Sequence, residues 1–310
     1  MEPRGATEIQ HELLEKYVSK ELLDKVQICT SIPGKVPLDP NKINILWQKN
    51  SYDQGNLQPF FTNKERFKEY DWYVFNSHWN YEKFRYFFGI PEEKSIVIKN
   101  GVNHFPIRKK YKKGEPLKII HHCTPWRGLN VLLLAMQMVK NKDITLDVYS
   151  SCQVYGSEFS TIHNKSFQPL YDQAQSLPNV NYIGYKPNEY IKEHITDYDL
   201  FVYPSIFEET FCVSALEALA AGVHVITTNF GALPETCSEW PTYINYTKNH
   251  DLMAESFAHA IDASAHYLHE EGMQNYLDEQ QKFYKRFYSW ERKGSEWTNF
   301  LTVAMNVKRS

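Results

Sequence analysis

The sequence predicts an α/β protein built from two Rossmann-like, doubly wound domains that face a central cleft. Three observations predict it. The 310 residues exceed what one hydrophobic core usually organises, at about 100–200 residues per domain. Short β-branched or aromatic runs alternate with helical patterns of about ten residues, which is how βαβ units read. The runs are also apolar enough to be strands of parallel sheets covered on both faces.

Taken in order, the first third offers strands at Val26–Ile32, Ile43–Trp47, Trp72–Phe75 and Ile96–Ile98, with helical stretches near Thr7–Lys20, Lys64–Tyr70 and Trp79–Phe88. Arg108–Gly114 packs five basic residues into seven and reads as a solvated linker. Past it the alternation is cleaner. Strand Leu117–His121 leads to helix Leu129–Val139, whose apolar Val131, Leu132, Ala135, Met136 and Val139 follow i, i+3/i+4 spacing. Strand Ile144–Tyr149, a polar loop, helix Phe167–Leu177, strand Val180–Gly184, helix Asn188–Thr196 and strand Leu200–Tyr203 come next. Helix Phe211–Ala221, strand Val223–Thr227 and a last strand near Tyr243–Tyr246 complete the second sheet. From Asp251 the pattern is helical nearly to the end, with turn signals at Gly272 and around Ser289. The reading divides the chain into a first domain over 1–105, a second over 106–285 and a closing helix over 286–310.

Composition narrows the function classes. A net charge of -3 does not favour a protein that lives on nucleic-acid phosphate. With 42% apolar and 23% charged residues the chain can bury a real core, so disordered classes are out. Five scattered cysteines without CxxC or Cys/His spacing indicate neither a disulfide framework nor a zinc site. Met1–Tyr17 contains no apolar signal-peptide core, and the longest apolar run, around Val131–Val139, is too short to span a bilayer. The expectation is a cytoplasmic protein with no metal, no cofactor and no transmembrane segment.

The stretch that carries chemistry is Tyr203–Glu235. A strand ends at Pro204, and a loop then bears Glu208 and Glu209. Thr210 is a suitable N-cap for a helix from Phe211. The amides of Thr210, Phe211, Cys212 and Val213 would then be orphan donors at the positive end of a helix, a site for phosphate or sugar oxygens. Glu217 lies eight residues beyond Glu209, on the body of that helix. Carboxylates do not bind a diphosphate; they accept hydrogen bonds from hydroxyls. A helix N-terminus beside two carboxylates therefore describes a nucleotide-sugar site, or else two surface glutamates on an ordinary amphipathic helix.

The wider pattern, P-S-x-x-E-E-T-F-x-x-x-x-L-E-A-L-A-A-G-V-x-V-I-T-T, resembles the E-x7-E segment of family 4 retaining glycosyltransferases, which have the GT-B architecture. The downstream Gly231-Ala-Leu-Pro-Glu235 resembles that family's glycine loop. Ser77-His-Trp with Phe88–Val102 resembles its interdomain passage, Asp197–Ser205 its last strand before the site, and Phe287-Tyr-Ser-Trp290 the turn into its closing helix. The resemblance implies that Glu209 holds the donor sugar's hydroxyls, that Glu217 holds the ribose, and that the Thr210–Val213 amides face the diphosphate. Arg127, before Gly128, matches one of the family's two cations for the diphosphate. Where the other, an arginine, is expected, His121-His-Cys-Thr124 stands instead, so His122 or Thr124 takes its place or one donor is lost. His122 can equally be an ordinary strand-end histidine.

The first third departs further. Pro3-Arg4-Gly5-Ala6 resembles the glycine-rich turn that approaches the donor phosphates, with Gly5 as its close-approach residue. That turn normally follows a strand, and only Met1-Glu2 precede it here, so the first domain reads as abbreviated. Where the family keeps a sugar-contacting His, this chain has Gln48 and Lys49; His78 is the nearest histidine, and it can equally be a helix-start cap. The resemblance thus implies a metal-independent retaining transfer from a nucleotide sugar to a hydroxyl acceptor: a glycan, glycolipid, protein or modified nucleic acid. The alternatives are another GT-B-type nucleotide-sugar enzyme, such as an epimerase, or a degenerate transferase acting as a binding protein.

Overall fold

A computed structural model describes residues 4–309. Met1-Glu2 and Pro3, to which the glycine-turn reading extends, lie outside the described residues. Among the described residues, ten strands form two sheets of four and six, parallel throughout. Strands β1 (Val26–Thr30), β2 (Ile43–Gln48), β3 (Trp72–Phe75) and β4 (Ser95–Val97) make the smaller sheet, in sequential order. Strands β5 (Leu117–His121), β6 (Ile144–Val148), β7 (Val180–Tyr182), β8 (Leu200–Tyr203), β9 (His224–Thr228) and β10 (Thr242–Ile244) make the larger one. Their order is β10-β9-β8-β5-β6-β7. The chain reverses its winding direction between β5 and β8, and ligands of such sheets bind beyond the carboxyl ends of the strands at that switch point.

The chain divides into two compact units, each with its own core. The first-sheet unit contains Ala6–Gly101, the three residues Glu209–Phe211 and the chain from Phe287 on. Its core joins Leu14 of helix Ala6–Tyr17 and Val18 just after it to Ile43, Ile45 and Trp47 of β2 and to Trp290, Trp297 and Leu301 of helix Trp290–Arg309. The helix after Ser289 therefore packs on the first sheet. Gly294 is tight there, since a Cβ would stand 2.8 Å from Tyr17 Cβ.

The second-sheet unit contains Arg4-Gly5, Val102–Glu208 and Cys212–Arg286. Helix Leu129–Met138 is buried almost all round and packs beside helix His250–Tyr267, which Asn249 caps through its side-chain oxygen on Leu252 N.

Three expectations are corrected here. Arg108 is no solvated linker residue: it is 6% exposed and donates to Gln274 O at 2.8 Å and Gln274 Oε1 at 2.9 Å, with Asp278 Oδ1 at 3.1 Å. Of the basic residues in that segment, the four lysines are exposed. The loop expected before Phe167 is helical, as Ser157–Ser176 is one helix with Pro169 inside it. Its first half is polar and shows no apolar period, but Phe159 and Phe167 pack on Trp126 at 6.1 and 5.7 Å, so tertiary contact overrides local propensity. Finally, the helix expected from Phe211 spans Val213–Ala220.

Candidate active site at the sheet switch point

The loops after β5 and β8 meet at the switch point of the larger sheet. After β5, Thr124 is extended, Pro125 opens a single 3-10 turn over Pro125–Arg127, and Gly128 ends it at φ 118° before helix Leu129–Met138. Gly128 is required by contact as much as by φ, because a Cβ there would stand 2.1 Å from Pro204 O. The Arg127 guanidinium lies 4.2 Å from the Phe207 ring centroid, so a residue of the β8 loop holds the cation planar beside the crevice.

Cys212, at φ 73°, is the N-cap of the following helix. This left-handed residue explains the late helix start, because the chain must turn there before helical bonding begins at Leu216 N to Cys212 O, 3.3 Å. The orphan amides are accordingly those of the turn that starts at Val213, and Thr210 and Phe211 are not part of it. Ser214 Oγ donates to His122 O at 3.3 Å, which ties the helix N-terminus to the β5 loop.

Glu217 lies on the body of this helix and is 4% exposed. Asn188 Nδ2 donates to its two oxygens at 3.2 and 3.4 Å, and Lys192 Nζ lies 3.9 Å from Oε1. Burial raises the Glu217 pKa, against the pull of Lys192 and the Asn188 hydrogen bond. Around the same crevice, His122 Nε2, Thr124 Oγ1 and Asn188 Oδ1 are buried without a partner. Burial, and secondarily His121, pushes His122 down to about 3, so this histidine is neutral. It is not the satisfied strand-end histidine of the alternative reading. Gly5 follows Arg4, whose amide donates to Val154 O at 3.1 Å and whose guanidinium pairs with Glu189 at 2.6 Å. The residue before the glycine is thereby anchored to the second-sheet unit.

The remaining candidates belong to the first-sheet unit. Glu209 is 4% exposed. Thr210 Oγ1 donates to Lys49 O at 2.8 Å and accepts from Asn76 Nδ2 at 3.2 Å, while its carbonyl accepts from Ser77 Oγ at 2.6 Å. Its hydroxyl therefore bolts the loop to the ends of β2 and β3 instead of capping a helix. Gln48 Oε1 accepts from the amides of Lys49 and Asn50, and its buried Nε2 has no partner. Lys49 Nζ sits 3.4 Å from the Trp47 ring centroid, and burial holds its pKa well below the usual lysine range. The cap of helix His78–Phe88 is Ser77, whose Oγ accepts from Asn80 N; His78 is exposed.

Sequence reasoning missed Asn188, Lys192 and Phe207. The first two carry a readable signal, since i and i+4 on one helix share a face; Phe207 carries none. No metal-holding group of three or more His, Cys, Asp or Glu side chains occurs among the described residues, and none of their helices is long and apolar enough to cross a membrane.

Comparison with known proteins adds to this geometry. The family described as glycosyl transferases group 1 matches residues 103–280, more than half of the chain. Over 239 residues the chain is 25% identical to an uncharacterized glycosyltransferase of Methanocaldococcus jannaschii, covering 71% of this chain and 57% of that protein. Over 160 residues it is 24% identical to the amylovoran biosynthesis glycosyltransferase AmsK of Erwinia amylovora, covering 47% and 37%. The chain thus spans only 37% to 57% of the length of the curated relatives it matches. A glycosyltransferase from Rickettsia africae superposes with a TM-score of 0.68 at 17% identity, over 98% of this chain and 83% of that one. Sucrose-phosphate synthase of Thermosynechococcus elongatus gives 0.66 at 16%, over 86% and 69%. Anabaena HepE, solved in complex with UDP and glucose, gives 0.63 at 14%, over 84% and 72%. These likenesses establish the GT-B fold for the two parallel sheets.

Proposed function

The chain belongs to the glycosyl transferases group 1 family, and on that premise we propose that it is a retaining glycosyltransferase acting on a nucleotide sugar and a hydroxyl acceptor. One observation carries the reading. At the switch point of the larger sheet, Arg127, the N-terminus of helix Val213–Ala220 and the buried carboxylate of Glu217 come from neighbouring loops tied by the Ser214–His122 and Arg127–Phe207 contacts.

In this reading the diphosphate lies across the helix N-terminus with the Arg127 fork on its oxygens. Glu217 accepts from the ribose, and Glu209 from the sugar. Thr124 Oγ1 and His122 Nε2 supply neutral hydrogen bonds, and Gly5 allows close backbone approach. Gln48 Nε2, Lys49 and His78 are the acceptor-side groups. As the bond from the anomeric carbon to phosphate breaks, the acceptor oxygen bonds to the same face, and the departing phosphate oxygen takes its proton. Fixed positive charge at Arg127 and the helix stabilises the leaving group, so no metal ion is needed. HepE holds UDP in its structure, which makes UDP-sugars the first donors to try.

The test is nucleoside diphosphate release from a panel of UDP-, GDP- and ADP-sugars, with and without EDTA. Release from one donor, undiminished by EDTA and lost in Glu217→Ala, is expected. Binding or release with no donor overturns the transferase reading, and dependence on added divalent ion overturns the metal-independent step.

A further inference from the structure

Glu217 is gripped from a single neighbouring helix. Asn188–His194 presents Asn188 and Lys192 to it one turn apart, the first through Nδ2 at 3.2 and 3.4 Å, the second through Nζ at 3.9 Å. An ionised carboxylate only accepts, so this contact fixes the amide orientation, with Nδ2 toward Glu217 and Oδ1 turned away. That Oδ1 is buried and has no hydrogen-bond partner. A buried carbonyl oxygen is costly to leave unpaired, and such an orphan beside a binding carboxylate points to a ligand donor. A ribose cis-diol presents two O–H donors, and Glu217 and the Asn188 amide, in contact through Nδ2, offer one acceptor each.

We propose that Asn188 is a substrate-binding residue that reads the donor's ribose, its Oδ1 accepting from one hydroxyl while Glu217, oriented by Asn188 Nδ2, accepts from the other. The inference rests on the nucleotide-sugar reading of Glu217 and extends it to a second side chain. Lys192 is a positioning residue: its charge keeps Glu217 ionised, as acceptance from a hydroxyl requires. The groups that act on Glu217 are Lys192 and Asn188, which favour the carboxylate, and Glu189, which with burial opposes it. Glu189 is itself paired with Arg4.

The experiment is calorimetric titration of the full chain with UDP, GDP and ADP, then with the 2′-deoxy and 3′-deoxy forms of whichever binds best. Wild type, Asn188→Ala, Asn188→Ser, Glu217→Gln and Lys192→Met are compared. Wild type should prefer the ribonucleotide to one deoxy form by about five- to tenfold, the effect of one hydrogen bond. Asn188→Ala should lose that discrimination between the ribonucleotide and the same deoxy form, beyond whatever affinity both forms lose with the orientation of Glu217. Equal loss on all three ligands in both Asn188 variants would mean a structural role and overturn the proposal, as would no loss on any.

Lys192→Met should lose more affinity relative to wild type at pH 6 than at pH 8, because burial raises the Glu217 pKa and the lysine opposes that rise. The same variant-to-wild-type ratio at both pH values refutes the positioning role. If Glu217→Gln loses affinity but Asn188→Ala keeps full discrimination, only the Asn188 proposal falls. If no nucleotide binds, or Glu217→Gln binds like wild type, the reading of the site falls and this proposal with it.

Discussion

Replacing Gly128 with alanine probes the switch-point crevice at its narrowest place. Two costs combine there. The residue sits at φ +118°, and its new Cβ would stand 2.1 Å from Pro204 O and 2.9 Å from Pro204 C, inside the 3.0 Å that real Cβ atoms essentially never breach. A left-handed conformation costs a non-glycine residue about 1–2 kcal/mol. Displacing a packed loop adds about 1–3 kcal/mol, so the sum is about 2–5 kcal/mol. Gly114 separates the two terms, because it has φ +85° with nothing within 4 Å of a Cβ. Gly114→Ala should therefore cost about 1–2 kcal/mol and leave function intact. Gly55, with open space and no positive φ, should be neutral or stabilised by a few tenths of a kcal/mol, roughly, through the unfolded chain. Urea midpoints at fixed m-value rank the three variants. Since Arg127 adjoins Gly128, a loop shift of about 1 Å should also lower turnover by about 10²-fold. The reasoning fails if Gly128→Ala is no less stable than Gly114→Ala, because the Pro204 contact would then be absent.

Arg127→Ala should weaken nucleotide diphosphate binding by about 10–100-fold, the range of one charge-assisted hydrogen bond. Arg127→Lys should recover only part of it, since a lysine neither forks two oxygens nor stacks on Phe207; affinity by calorimetry decides, and full recovery by lysine argues against the fork. Arg108→Met should destabilise by about 2–4 kcal/mol, because it leaves the buried Gln274 acceptors unmatched, while Asp278 keeps Lys110 at 3.1 Å. Lys110→Ala should change stability by less than about 1 kcal/mol, since that lysine is solvated, and equal urea midpoints for the two variants would contradict the assignment.

Stability should also fall as pH drops from 6.5 toward 4. Burial pushes His121 down to about 4, His122 to about 3 and His224 to about 4, so the unfolded chain binds more protons than the native one across that window. Asp199, raised to about 6 chiefly by burial, and Glu217, also raised by burial, work the other way, two carboxylates against His121, His122, His224 and the likewise lowered His11. Unfolding free energies from urea titrations at pH 7 and 5 should differ by a few kcal/mol, roughly, and His224→Gln should narrow the gap; a flat profile contradicts the buried neutral histidines.

The sheets were legible because their signal is local. Leu117–His121 and Leu200–Tyr203 are short apolar runs bounded by turn residues, and each is a strand with those bounds. The helix start at Val213 was not legible. Thr210 has the chemistry of a cap, but its hydroxyl is committed to Lys49 O and Asn76, 161 and 134 residues away in sequence, and nothing near Thr210 announces those partners. The burial of Arg108 was hidden for the same reason: a basic run looks solvated until Gln274 and Asp278 are placed beside it. Helix Ser157–Ser176 fails the periodicity test because Phe159 and Phe167 follow the shape of Trp126 and not a continuous core face.

The histidines decide what can replace the arginine that His121-His-Cys-Thr124 lacks. A substitute must carry either charge or only a hydrogen bond. His121 and His122 are held neutral by burial, to about 4 and about 3, so at physiological pH neither brings positive charge to a phosphate. Thr124 Oγ1 and His122 Nε2 are orphaned and can hydrogen-bond, but neither changes the local charge. In the proposed site the charge developing on the leaving group thus falls on Arg127 and the helix N-terminus. The Phe207 ring, its centroid 4.2 Å from the Arg127 guanidinium, would hold such a fork oriented before the reaction. In that proposal an anionic ligand is compatible with a net charge of -3, because local dipoles and one fork would meet the diphosphate while Glu217 meets the hydroxyls.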